Sequence, residues 1–407
     1  MKPFITSEVN HLNSVIVHTP GREVSLLNPE HKDELLFDDI IFEEDARNEH
    51  LDMLDVFKTA MPENGKIYEI CDLIKETFAG EEARAYFIER FERLLPEEHL
   101  HWVEDKLLNL PPEELQQFVI EGTTPSIPHF TLTPTPNLLF TRDLAATVND
   151  EIILSQAAKH ARLRESLLME TVLYYHPMFN SAGQNIIRTS KDESIEGGDI
   201  IVASNEVVLI GMSERTTFSG IMKVSEQLFQ HEVKHVVVVD IPKQRSSMHL
   251  DTIFTFISHN ECMVFPPAIT ERQNNIVVLS KNGDKIEANT MPSLKYALEN
   301  LMNRELTFIN CGGNNRTDQF REQWTDGANI FALAPGVIVG YDRNTYTFEA
   351  LKEHGYTIMD QYSFVETYTN NPFEPQKAGK LAITFRGQEL CRGRGGARCM
   401  TQPIVRQ

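Results

Sequence analysis

The residue with the clearest chemical potential is Cys399, set in Arg392-Gly393-Arg394-Gly395-Gly396-Ala397-Arg398-Cys399-Met400-Thr401. The glycines read as a flexible loop and the arginines as a cationic setting. Such a setting favours the thiolate, the reactive form of cysteine. A lone cysteine is commonly a small buried hydrophobe, but three arginines this close are hard to explain as core packing. His249 and Asp251 lie two residues apart, so in a strand they project to one face with Leu250 on the other. A His beside an Asp suits proton transfer. The same pair also fits a surface strand, and without further close His or Cys it is weak as a metal site. Asp143 ends Phe140-Thr141-Arg142-Asp143, where it shares a strand face with Thr141; a local Arg–Asp pair or a turn cap explains it equally well. Glu196-Gly197-Gly198-Asp199 puts two carboxylates around a Gly-Gly turn. Many such segments are ordinary turns, but here the glycines would let backbone approach a ligand.

The combined inventory is a thiol, a histidine and four carboxylates. Paired carboxylates fit the fork of N–H donors on a guanidinium. A thiolate can then attack the central carbon, and histidine can protonate departing ammonia and later activate water. A Cys–His thiol hydrolase acting on amides would share the nucleophile and base but leaves the paired carboxylates unexplained. The Arg-Gly-Arg-Gly-Gly run is also like a fragment of an RGG nucleic-acid segment, yet it is single, short and set in an acidic chain.

The elements that must position these residues are those of an ordinary globular protein. The 407 residues are 41% hydrophobic and 24% charged, enough for a sizeable core. The net charge of -21, from 59 acidic against 38 basic residues, argues against nucleic-acid or anionic-membrane partners. It is compatible with a cationic substrate. The five cysteines are scattered with no CxxC pair, so neither a disulfide framework nor a zinc site is indicated. No signal-like or membrane-spanning apolar run is present, and a cytoplasmic location is expected.

Four stretches share one design of strand, break and strand: Leu138 to Ser155, Asp199 to Met212, Thr252 to Phe265, and Ala328 to Tyr341. The breaks are rich in Asn, Asp, Ser, Gly and Pro, which is turn chemistry. Helical stretches follow three of them, at Arg162 to Tyr175, Ser219 to Phe229 and Tyr346 to His354. The chain ends, Ser14 to His18 and Lys380 to Thr384, offer strands for a fifth unit. Such repetition predicts a ring or array rather than one doubly wound sheet. In a ring, equivalent hairpin ends would converge and bring the scattered polar residues to Cys399. Residues 66–122 differ, being rich in Glu and Leu with helical periodicity. Phe87, Phe91 and Leu94 share a face, and Pro96-Glu97-Glu98 and Pro112-Glu113-Glu114 look like helix starts. An inserted helical subdomain over residues 66–122 is expected within a single catalytic domain of residues 1–407.

At these residues the chain resembles the arginine deiminases of the guanidino-modifying superfamily. The resemblance runs through Asp33-Glu34-Leu35-Leu36-Phe37-Asp38-Asp39, Pro136-Asn137 with Phe140-Thr141-Arg142-Asp143, and Glu196-Gly197-Gly198-Asp199. It continues through Gly211-Met212-Ser213-Glu214-Arg215-Thr216-Thr217, Met248-His249-Leu250-Asp251-Thr252 and Gln323-Trp324-Thr325-Asp326-Gly327-Ala328-Asn329 to the Cys399 loop. It implies a five-bladed pseudo-symmetric β/α propeller of strand–strand–helix modules, an α/β fold, with the helical insertion that separates these enzymes from the smaller dimethylarginine hydrolases. It implies hydrolysis of L-arginine to L-citrulline and ammonia with no metal or organic cofactor. Cys399 would be the nucleophile forming an amidino-thioether, and His249 the general acid/base supported by Glu196. Asp143 and Asp251 would grip the guanidinium, and Asp199 would join the substrate site. Arg162, Arg215, Arg394 and Asn137 would hold the α-carboxylate, with backbone around Leu36, Phe140 and Gly393 closing on the amino-acid end. Arg162 also fits a helix-surface charge. Some relatives have His immediately before the nucleophile where this chain has Arg398, which bears on pH optimum. Free L-arginine is the expected partner, and a homo-oligomer the expected assembly. The rival activities are an amidinotransferase, which passes the amidino group to an amine, and a non-catalytic arginine sensor. A peptidyl-arginine deiminase fits less well, since no calcium-loop pattern stands out.

Overall fold

A computed structural model gives the structure of the chain and describes residues 2–95, 106–179, 185–283 and 285–407. The helix start expected at Pro96-Glu97-Glu98 lies outside the described residues.

The chain is mixed α/β, and the described residues form five separate open sheets with helices between their strands. All four expected hairpins are present and antiparallel: Ala145–Val148 with Glu151–Leu154, Ile200–Val202 with Val207–Met212, Phe254–Phe256 with Glu261–Val264, and Phe331–Ala334 with Val337–Tyr341. Their tight connections follow from turn chemistry. Asn149 takes φ 52° and Gly336 φ 76°, left-handed values that Asn and Gly tolerate. Ser204 Oγ accepts from the amides of Glu206 and Val207, a side chain standing in for a backbone turn bond. Beside each second hairpin strand runs a parallel one, such as Ile186–Ile187 beside Glu151–Leu154 and His235–Asp240 beside Val207–Met212. Parallel pairing needs a crossover, which the helices Leu163–Tyr175 and Phe218–Leu228 provide in these two sheets.

The fifth unit differs from expectation. Leu12–Val17 pairs antiparallel with Thr401–Arg406 and parallel with Lys66–Glu69. The apolar run around Lys380 to Thr384 instead forms Leu381–Phe385, inserted between Val337–Tyr341 and Thr357–Asp360. Its side chains are mostly buried, which a position between two parallel strands provides. The strand Lys66–Glu69 also replaces the first residues of the expected helical segment.

The helices Ile70–Phe78, Glu81–Glu92 and Pro112–Glu121 share one apolar cluster with Leu163–Tyr175, including Phe78, Phe87, Phe118, Leu168 and Val172. Phe87 and Phe91 stack with centroids 5.4 Å apart, as their spacing on one helix face requires. Pro112 occupies the first turn with Glu113 and Glu114, where a missing amide costs nothing and acids face the positive helix end. Among the described residues no helix is long and apolar enough to cross a membrane.

Candidate active site

The turns leading into the first strand of each hairpin carry the chemistry. Asp143 lies in the 3-10 turn Thr141–Leu144, Glu196 precedes Gly197–Asp199, and His249 precedes Leu250–Thr252 with Asp251 inside it. Asp326 and Asn329 precede Phe331–Ala334, and Cys399 precedes Thr401–Arg406. The strand positions expected for Thr141 with Asp143, and for His249 with Asp251, are therefore corrected: both pairs sit in turns, where two-residue alternation does not apply.

The five turns touch in sequence around a ring. The Arg142 amide donates to the Cys399 carbonyl at 3.1 Å, and the Leu250 amide donates to Asp199 Oδ1 at 2.8 Å. Asn329 Nδ2 donates to the Asp251 carbonyl at 3.0 Å, and the Cys399 amide donates to Asn329 Oδ1 at 2.9 Å. The remaining link is Gly198, where a Cβ would fall 2.6 Å from His249 Nδ1 and 2.7 Å from Asp143 Oδ1. Glycine at this position lets two site side chains close over its backbone.

Cys399 is buried, at 4% exposure, and its sulfur lies 3.8 Å from Asp251 Oδ2. The neighbouring arginines are committed elsewhere. Arg392 bonds Asp39 and Glu389. Arg394 stacks on the Trp324 ring at 3.7 Å and donates to its carbonyl. Arg398 donates to Asp251 Oδ2 at 2.8 Å and to Glu8 Oε1 at 3.1 Å. The picture of a flexible cationic loop activating the thiol is thus corrected. Burial pushes the thiol well above its usual range, Asp251, Asp143 and Asp326 push further, and Arg398 opposes them.

His249 Nε2 meets Glu196 Oε2 at 2.9 Å, and Nδ1 lies 3.4 Å from Asp143 Oδ1. Burial favours the neutral ring, but Asp143 and Glu196 outweigh it and raise His249 to about 9. Glu196 falls to about 2 despite its burial, through the His249 hydrogen bond and Arg215, whose Nη1 is 3.6 Å away. Burial raises Asp199 to about 6. Its oxygens accept from Ser213 Oγ at 2.6 Å and the Leu250 amide at 2.8 Å. Asp199, expected in the substrate site, thus also braces the His249 turn. Burial also raises Asp251 against the pull of Arg398, and its Oδ1 has no hydrogen-bond partner.

Leu36, Asn137, Phe140, Arg162, Arg215, Gly393 and Arg394 line one pocket with Asp143, His249 and Cys399. Its cavity is about 10 Å³, room for about one water. Arg162 is buried rather than on a helix surface. It donates to Asp143 Oδ2, to Glu165 Oε2 at 2.9 Å, and to the carbonyls of Asn137 at 3.0 Å and Phe140 at 3.2 Å. Leu36 takes φ 65° and its carbonyl accepts from Arg245, which also bonds Asp38 at 3.0 Å.

Sequence reasoning missed Arg245, Asn329 and Glu8 as parts of this assembly. Asn329 stands in the Gln323 to Asn329 stretch, so a signal existed. Glu8 had none, since only folding brings it to Arg398. The ligand atoms of Asp143, Glu196 and His249 lie within 4.8 Å of one another, close enough for a metal ion. Arg162 and Arg215 already pair with both carboxylates, and two guanidinium cations oppose a dication there.

The chain is similar to the dimethylarginine dimethylaminohydrolase of Pseudomonas aeruginosa complexed with citrulline, with a TM-score of 0.51 at 15% identity over 97% of this chain and 99% of that one. It is similar to the amidinotransferase SxtG of Microseira wollei, with a TM-score of 0.57 at 12% identity over 100% of this chain and 97% of that one. These likenesses show the α/β fold shared with dimethylarginine hydrolases and amidinotransferases. The family model for arginine deiminase matches residues 101–406. The arginine deiminase of Bacillus thuringiensis subsp. konkukian is 34% identical over 99% of this chain and 98% of its own length. That of Listeria monocytogenes serovar 1/2a is 33% identical over 99% and 97%. The chain belongs to the arginine deiminase family.

Proposed function

We propose that the protein hydrolyses free L-arginine to L-citrulline and ammonia through an amidino-thioether on Cys399. The observation that carries this reading is one pocket holding two kinds of complement. Asp143 and His249 line it with Cys399, beside which lies Asp251, and Arg162, Arg215 and Arg394 line it as well. The acids complement a guanidinium and the arginines an α-carboxylate.

Asp143 and Asp251 take the substrate guanidinium. Its charge reverses the field that keeps Cys399 neutral, so the thiol gives its proton to solvent as substrate binds, the thiolate attacks the guanidinium carbon, and the sulfur regains a proton from solvent when citrulline leaves. His249, held cationic by Asp143 and Glu196, protonates the departing amine. The neutral ring then takes a proton from the water that releases citrulline from sulfur. Arg162 exchanges Asp143 for the substrate α-carboxylate as the guanidinium arrives. Arg215, Arg394 and Asn137 share that carboxylate, and backbone at Leu36, Phe140 and Gly393 closes on the amino-acid end.

The architecture that goes with this reading is a five-bladed β/α propeller over residues 1–407, with the inserted helical subdomain, expected at residues 66–122, beginning at the helix Ile70–Phe78. The ring of five turns and the repeated hairpin support it. The protein acts as a cytoplasmic homo-oligomer without nucleic-acid or membrane partners. Five free cysteines and the net charge of -21 support the compartment and the lack of nucleic acid.

The test is citrulline and ammonia release from L-arginine, with agmatine and methylated arginine as competing substrates and an amine acceptor in parallel. Equimolar release from L-arginine, with no acceptor needed, is expected. Turnover only with the amine would make the protein an amidinotransferase, and binding without turnover a sensor.

A further inference from the structure

A second cluster of reactive side chains lies outside the pocket, at adjacent ends of the parallel strands Leu12–Val17 and Lys66–Glu69, where Val17 pairs with Glu69. His18 follows the first strand, Glu69 ends the second, and Cys71 stands in the first turn of Ile70–Phe78. His18 Nδ1 lies 3.0 Å from Glu69 Oε1 and 3.4 Å from Cys71 Sγ. The three ligand atoms lie within 4.8 Å of one another. The other ring nitrogen, Nε2, is 3.0 Å from Glu23 Oε1.

We propose that His18, Glu69 and Cys71 form a binding site for a first-row divalent transition metal such as zinc, with Glu23 orienting His18. Nitrogen, oxygen and sulfur donors are the set zinc accepts. In a tetrahedral zinc site, ligand bond lengths place N and S about 3.5 Å apart and N and O about 3.3 Å apart. The pairs here already stand near those separations, so the ion takes the place of the protons between the three groups with little rearrangement. A carboxylate on the far nitrogen of a ligating histidine is the usual outer support of such a site. The supports are themselves fixed. The Thr19 amide donates to Glu69 Oε2 at 2.8 Å, and the Gly21 amide donates to Glu23 Oε1 at 2.8 Å.

His50 adds a separate observation. It is fully buried, neither ring nitrogen finds a hydrogen-bond partner, and Glu69 and His18 act on it electrostatically. The three donors leave the fourth position of a tetrahedral ion open to water. The Glu69 side chain is 26% exposed, which gives an ion a way in. Bound there, the ion ties the first strand to the start of the helical segment.

The test uses full-length Cys399→Ser protein, so that the catalytic thiol is silent, titrated with cobalt(II) and then zinc(II). One equivalent of cobalt is expected to give a thiolate-to-cobalt absorption band that zinc displaces. Adding Cys71→Ala should abolish the band. Cys71 is only partly buried, and Cys71→Ser serves as a second variant with circular dichroism as the check on folding. Glu23→Gln should keep the band but weaken zinc binding about 10–100-fold. No thiolate band in the Cys399→Ser protein, or a band that survives loss of Cys71, overturns the proposal and leaves the cluster a metal-free ionic network.

Discussion

Arg398 donates a 2.8 Å hydrogen bond to Asp251 through the same carboxylate oxygen that lies 3.8 Å from the Cys399 sulfur. The residue before the nucleophile therefore acts on the acid beside it. It does so as a fixed charge, since Arg does not titrate in the working range.

Breaking this pair should be costly. Arg398→Gln leaves Asp251 buried without its cation, and losing one partner of a buried pair costs about 3–5 kcal/mol. A fall in kcat/KM of about two to three orders of magnitude is expected. Burial already raises Asp251, so without Arg398 its charged form appears only at higher pH and residual activity should climb with pH. Steady-state kinetics across pH check this; wild-type rates in Arg398→Gln would refute it.

The free enzyme should hold Cys399 as a neutral thiol. Titration of thiolate ultraviolet absorbance, taken as the difference between wild type and Cys399→Ser, should show no ionisation of this residue at neutral pH. Asp251→Asn removes the nearest negative charge and should shift its ionisation downward. A thiolate present at pH 7 in the free protein would contradict the substrate-driven activation described above.

The arginines of the pocket should separate arginine from agmatine, which lacks the carboxylate. Hydrogen bonds to charged groups contribute about 1.5–3 kcal/mol each. Arg394→Ala and Arg215→Ala should therefore lower kcat/KM for L-arginine about 10–100-fold and change that for agmatine far less. Equal losses on both substrates would assign these arginines to structure rather than to carboxylate binding.

The hairpins and the chemistry of the site were legible because both lie in short local signals. Turn residues such as Asn149 and Gly336 mark breaks, and Asp143, Glu196, His249 and Asp251 sit in compact polar motifs. The rest depended on long-range pairing. Thr401–Arg406 carries Pro403 and polar residues, yet all its side chains are buried against the chain's first strand. Lys66–Glu69 is a half-exposed edge with no apolar run. The Cys399 loop looked mobile and cationic because the partners that bury it, Glu8 and Asn329, lie far away in sequence. The hold of Ser213 and Leu250 on Asp199 was likewise hidden, because it joins residues 14 and 51 positions apart.

Stability should depend on pH through the His249–Glu196 pair. His249 is raised from 6.5 to about 9, so its contribution is complete below about 6.5 and is lost as pH rises through about 9. Glu196 is lowered from 4.5 to about 2, so its contribution is complete above about 4.5 and is lost as pH falls through about 2. Wild type should lose Tm between pH 6.5 and 9 more steeply than His249→Gln. Parallel profiles would mean that the pair is not coupled to folding.

Trapping the covalent intermediate tests the central claim most directly. Wild-type protein mixed with excess L-arginine, acid-quenched during turnover and measured by intact mass and peptide mapping, should gain the mass of arginine less ammonia on the peptide containing Cys399. The same treatment of Cys399→Ser should leave the mass unchanged. Citrulline formation by Cys399→Ser at the original rate, or an adduct on another residue, would contradict the account.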